Sequence, residues 1–316
     1  MSDIKPTKQT YRIRNWAQYN AALIQRGSFT WWLDEALIER WYNTEKSGRR
    51  GAPNTYSDVA IQCALTLKAV YRLPLRATQG FLNSLLDLMQ VPLTPPHYST
   101  CCRRQQTLDV CIPRTPSPEA RHLVVDSTGL KVFGEGEWKV RQHGYSKRRT
   151  WRKLHVAVDE ATPEIVATLT TTTAVGDSEV LPELLDQVPE PIAQVSADGS
   201  YDSRDCHAAI AQRQAQAAIP PREHAQPWEP HPDGTVHPRT AILERISEIG
   251  LAQWKQESGY HQRSLAETAM FRLKTLFGAQ LQARGFDAQV AEAYIRCAAL
   301  NTMTRLGMPD SYRVGA

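Results

Sequence analysis

Two short apolar runs that each deliver an aspartate constrain this chain more than any other feature. "HLVV" leads into Asp126 and "IAQVSA" into Asp198. Short aliphatic runs bounded by turn-forming residues read as buried strands, and a carboxylate closing such a run is carried to the edge of a sheet. The segments between and around them extend the pattern. "HLVVDSTGLKVF" reads as a strand, "KLHVAVDE" and "EIVATLTTTT" as a hairpin-like pair, "DSEVLPELLDQV" as a helix, "IAQVSADGS" as a strand, "SRDCHAAIAQRQ" as a helix and "AAIPP" as a short strand. That order predicts an α/β unit, a mixed central sheet flanked by helices. Taken singly, each aspartate is an ordinary turn residue, and Asp198-Gly199 is a common turn pair.

Upstream the pattern is helical. "TWWLDEALIERWYN" and "SDVAIQCALTLKAVYR" repeat apolar residues every three or four positions, Ser57 being placed to cap the second. "LPLRATQGFLNSLLDLM" follows a break at Pro74, and a further helix starts near Ser99 and displays Arg103 and Arg104. Short helices joined by tight breaks predict an all-α, helix-turn-helix-type DNA-binding region, with a helical bundle bearing a basic edge as the alternative. The Pro/Ser-rich "IPRTPSPEA" marks the change of composition, so the chain divides into residues 1–118 and residues 119–316. Within the second part, residues 222 to about 258 contain "REHAQPWEPHPDGTVHPRT" and read as an insertion.

Charge narrows the partner. The chain of 316 residues carries a net charge of only +4. Residues 1–120 nevertheless hold 15 Lys/Arg against 9 Asp/Glu, and residues 131–153 hold 8 against 2. Two basic regions beside an acidic remainder predict a polyanionic partner bound at defined places. No apolar stretch is long enough for a membrane span, and "MSDIKPTKQTYRIRNW" lacks the apolar middle of a signal peptide, which predicts a cytoplasmic protein. The six cysteines show no paired C-x-x-C spacing, so neither a zinc ribbon nor a disulfide framework is expected.

A third carboxylate completes the pattern. In "YHQRSLAETAMFRLK" (260–274), a helical wheel puts Tyr260, Arg263, Glu267 and Lys274 inside an arc of about 60°, while Arg272 falls on nearly the opposite side. A solvated polar stripe is the bland alternative. Two strand-end carboxylates followed by a helix carboxylate suit one hard-cation site, since three gathered carboxylates repel one another unless a divalent metal sits among them. Mg²⁺ is the expected ion, as a pair, with Mn²⁺ able to substitute, and such a site suits phosphoryl transfer. Tyr260, Arg263 and Lys274 would then hold backbone phosphates beside it.

These residues carry a resemblance. The pattern Y-x-x-R-x-x-x-E-x-x-x-x-x-x-K, filled by Tyr260, Arg263, Glu267 and Lys274, resembles the signature of bacterial insertion-sequence DDE transposases of the IS-five family. "VVDSTG" and "SADGSYD" resemble the surroundings of that family's two aspartates, and "GYSKRRTWRKLH" its basic segment. The resemblance implies an RNase H-like catalytic domain with Asp126, Asp198 and Glu267 as catalytic metal ligands. It implies cleavage at the inverted-repeat ends of a mobile element, transfer of the freed 3′-hydroxyl to target DNA, a homodimer on DNA, nucleoid association and no small-molecule substrate. Lys147, Arg148 and Arg149 are assigned to backbone phosphates, with a solvated hairpin as the alternative, and Trp228 to stacking on a flipped base, with a loop anchor as its alternative. A nuclease of the same fold without strand transfer, and a retired transposase that only binds DNA, remain compatible with these residues.

Overall fold

The computed structural model describes residues 10–44, 54–132, 151–230 and 234–314. The elements run β1 (Thr10–Ile13), α1 (Trp16–Gln25), α2 (Glu35–Glu39), α3 (Asp58–Val70), α4 (Leu75–Leu88) and α5 (Tyr98–Arg104). The sheet region follows as β2 (Arg121–Val132), β3 (Trp151–Asp159), β4 (Ile165–Thr172), α6 (Leu181–Asp186), β5 (Ile192–Ser196), α7 (Arg204–Gln212) and β6 (Gln216–Ala218). The chain ends with α8 (Pro238–Ile249), α9 (Leu251–Glu257), α10 (Ser264–Phe277), β7 (Gln280–Leu281), α11 (Phe286–Leu306) and β8 (Ser311–Val314). Among the described residues no helix is long and apolar enough to cross a membrane.

The main sheet is mixed, in the order β4-β3-β2-β5-β6, with β7 also on β2. β2, β3 and β4 form an antiparallel meander, whereas β5, β6 and β7 run parallel to their neighbours. Alternation along β2 sorts its side chains onto two faces. Leu123 and Val125 join α6 and α7 in one core, while Val124 and Leu130 join α3, α10 and α11 in the other. Asp126 shares the second face by the same alternation, and is thereby turned toward α10.

Three sequence expectations change here. The first region is not all-α, because β1 pairs antiparallel with β8 from the far end of the chain, Thr10 opposite Val314. Composition changes near residue 118 but packing does not: Ile61, Leu65, Leu82 and Leu86 lie in the same core as Leu273, Ile295, Leu300 and Val124. Asp126 does not end its strand, since β3 pairs with β2 from Leu123 to Lys131 and carries it past the carboxylate. Ser57 does cap α3, its side chain accepting from the Ala60 N–H at 3.1 Å.

Candidate active site

The sheet has a gap beside Asp126. β5 stops at Ser196, opposite Val124, and β7 begins only opposite Lys131. Between those positions the β5 side of β2 has no strand neighbour among the described residues, so a side chain there is reached from the helix layer. A 3₁₀ turn, Tyr260–Arg263, packs against both β2 and β5 at that place and continues directly into α10. Gly259 makes this entry, with φ of 67° in the left-handed region that a Cβ disfavours.

Arg263 is the hub. Its Nη1 donates to Asp126 Oδ2 at 2.9 Å and its Nη2 to Glu267 Oε1 at 2.6 Å. One guanidinium thus bridges a carboxylate from β2 and one from the first turn of α10, as a planar fork can and an ammonium cannot. Burial pushes the Asp126 carboxyl above its usual range and the neighbouring Asp198 charge pushes the same way, against the Ser127 N–H and Arg263. Tyr260 is also raised, by burial first and then by the charges of Asp198 and Asp126 against that of Arg263. Its ring lies 6.1 Å from that of Trp254, with Lys255 Nζ 5.2 Å from its centroid.

Asp198 leaves β5 two residues beyond the last paired position and caps a short turn, accepting from the Ser200 N–H at 2.9 Å and from the Ser200 hydroxyl. Among the described residues no group of three or more His, Cys, Asp or Glu side chains is gathered closely enough to hold a metal ion. Arg263 lies between two of the expected ligands, and Asp198 is turned to its own turn. The expected ligands are nevertheless all carboxylates, the donor type that a hard divalent cation takes.

The four-residue stripe is not one α-helix. Tyr260 and Arg263 sit on the 3₁₀ turn, where side chains advance about 120° per residue, and Glu267 and Lys274 sit on α10. The Arg263–Glu267 pairing survives this change. Lys274 lies two turns beyond Glu267 with no carboxylate partner among the described residues. Arg272 does face away, donating to Thr304 Oγ1 at 3.1 Å, and burial pulls its pKa down to about 10.

Other assigned residues lie apart. Arg104 is committed within the fold, to the Asp58 carboxylate and, at 2.9 Å, to the Tyr56 carbonyl, whereas Arg103 is exposed. Trp228 has Arg239 4.4 Å and Arg204 5.0 Å from its ring, with His237 and His207 edge-on. Lys147, Arg148 and Arg149 lie outside the described residues.

Two supporting groups went unread in the sequence. Gln194 Nε2 donates to the Ser258 carbonyl at 2.8 Å, just before Gly259, and Ser196 Oγ lies 2.8 Å from His122 Nε2. They tie β2 and β5 to the turn that carries Tyr260 and Arg263. Tyr201 is buried with its hydroxyl unpartnered among the described residues, and burial raises its pKa, helped by the charges of Asp177, Asp126 and Asp198. Its place in "SADGSYD" was the available signal.

A mixed sheet in which Asp126 on β2 and the helix-borne Glu267 are joined through Arg263, with Asp198 on the turn after β5, defines an α/β class of protein with carboxylates beside its sheet. Two family models, each described as a transposase DDE domain, match this chain, one over residues 117–302 and the other over residues 24–135. The first alone spans more than half of the sequence. The chain therefore belongs to the DDE-domain transposases and is a DNA transposase. Among solved structures, a piggyBac transposase synaptic complex with hairpin DNA is similar over 94% of this chain and 76% of that one, at 11% identity and a TM-score of 0.38. That likeness is too distant to bear on fold or function.

Proposed function

We propose that this chain is an insertion-sequence transposase of the IS-five type, with an RNase H-like catalytic part. It binds the terminal inverted repeats of its element, cuts the DNA there with Mg²⁺, and joins the freed 3′-hydroxyls to target DNA. One observation carries the reading: Asp126 and Glu267 meet through Arg263 in the gap of the sheet, with Asp198 close enough to be felt at Asp126. The strand order also supports it, an antiparallel meander of three strands followed by two parallel ones.

Asp126, Asp198 and Glu267 would hold the metal, which supplies an activated water and stabilises the leaving oxygen. The protein does the rest by position. Arg263 keeps the two carboxylates apart and neutralised before substrate enters. Tyr260, Arg263 and Lys274 hold the phosphates flanking the scissile one, and Lys147, Arg148, Arg149 and Arg103 hold the duplex further out. Trp228 anchors the insertion, and the helical region 1–118 lends Arg103 to DNA as a helix-turn-helix-type surface packed on the catalytic part. Joining two ends requires two active sites, so the working form is a homodimer on DNA.

Pre-cut element ends, Mg²⁺ and a supercoiled target plasmid test the reading. Joined end-target products are expected. Cleavage of uncut ends without joining of pre-cut ones under any divalent ion would mean a nuclease, and DNA binding with neither would mean a retired derivative.

A further inference from the structure

A basic groove lies outside the carboxylate site. Two contiguous cavities of about 500 and 480 Å³ share Pro74, Leu75 and Cys102. They run from the start of α4 across α5 to the loop between β7 and α11. Arg76, Arg103, Arg284 and Lys68 line them. Among the described residues that line them the one acid, Glu292, is already spent inside: Arg296 Nη2 donates to it at 2.5 Å, and the N–H groups of Gln282 and Ala283 at 2.9 and 2.8 Å. Arg76 stacks over Tyr98, 4.5 Å from its centroid, which holds the guanidinium in place. The first turn of α4 adds N–H groups with no side-chain cap and no acidic residue in that turn.

Resting on the proposed DNA function, we infer that this groove seats the phosphodiester backbone of a DNA duplex that also reaches the carboxylate site. Position fits that role. Gln282 follows Leu281, which pairs with Val132 on β2, six residues from Asp126. At about 3.3 Å per residue the groove begins roughly 20 Å from Asp126. A duplex advances about 3.4 Å per nucleotide along each strand, so the groove meets phosphates about six base pairs from the bond to be cut.

Cysteine chemistry reports on the groove directly. Cys102 is exposed in it, Cys111 is exposed outside it, and the other four cysteines are buried. The intact protein is treated with N-ethylmaleimide without divalent metal, with and without a duplex of roughly three helical turns and arbitrary sequence. At a duplex concentration about ten times its dissociation constant, labelling of Cys102 is expected to slow about tenfold while Cys111 is unchanged. Arg284→Ala removes a side chain that makes no hydrogen bond or ion pair among the described residues, and the slope of log affinity against log salt should fall by about 0.9. Duplex binding with Cys102 unprotected, or with that slope unchanged, overturns the groove alone. Failure of the parent protein to bind duplex at low salt overturns the groove and the DNA function together.

Discussion

Arg263 joins two carboxylates that stand far apart in the chain, Asp126 on β2 and Glu267 on α10. Its pairing with Glu267 is a four-residue spacing, legible from any helical wheel, but its bond to Asp126 spans 137 positions and depends on where β5 stops. Periodicity does not report that. Tyr201 was passed over because a tyrosine after a glycine turn looks like any other; only burial beside three carboxylates distinguishes it. His155 shows how a single residue ties stability to pH. It is fully buried, its Nε2 lies 2.9 Å from Thr171 Oγ1, and burial pulls its pKa down to about 4. The unfolded ring takes up its proton at a higher pH than the folded ring does, so the stabilisation is present above about pH 6.5 and is lost as pH falls toward 4. Thermal melts at pH 7 and pH 5 should show about 2 kcal/mol lost by the parent protein, and most of that loss should vanish in His155→Gln. An unchanged pH slope in the variant would mean that another group titrates.

Elements were legible in proportion to how regular their patterns are. Strands β2 to β6 and helices α6 and α7 follow from apolar runs and turn residues, and their order fixes the sheet. α11 went unread because it has no polar face: Ala291, Ile295, Ala298 and Leu300 are buried together with Gln289, Glu292, Arg296 and Asn301. β1 and β8 are four residues each and acquire meaning only from one another. The segment rich in Pro and His reads in sequence as an insertion, and a buried ion pair fastens it. Arg239 donates to Asp202 through Nε at 2.6 Å and Nη2 at 2.9 Å, and to the Gln226 carbonyl at 2.7 Å. Burial alone would raise the Asp202 carboxyl; His207, Arg239 and the Arg222 N–H hold it far below the usual range instead. Asp202→Ala leaves Arg239 buried and unpaired, which should cost about 3 to 5 kcal/mol. Melting should fall by about 10 °C. A loss no larger than that of an exposed substitution would show that the insertion is fastened elsewhere.

At the scale of the whole molecule, one core crosses the composition boundary. Leu65 and Leu67 on α3, Leu86 on α4 and Leu300 on α11 belong to a single cluster, and β1 is completed by β8. Composition alone misses this because it reads neighbours in sequence, whereas a core is made of neighbours in space. The chain should therefore unfold in one calorimetric transition, and residues 1–118 expressed alone should show no cooperative melt; two separate transitions would contradict a shared core.

The central claim is that Asp126, Asp198 and Glu267 act as one metal-binding unit on DNA. Its most direct measurement pairs cleavage with binding, using a plasmid that carries the coding sequence and its flanking DNA. Losing one metal ligand removes several kcal/mol of transition-state stabilisation, so Asp126→Ala, Asp198→Ala and Glu267→Ala should each slow Mg²⁺-dependent cleavage by about a thousandfold or more. DNA affinity should stay within about threefold, because phosphate contacts come from the basic residues. A variant that cuts within about tenfold of the parent rate would remove its residue from the site and contradict the account.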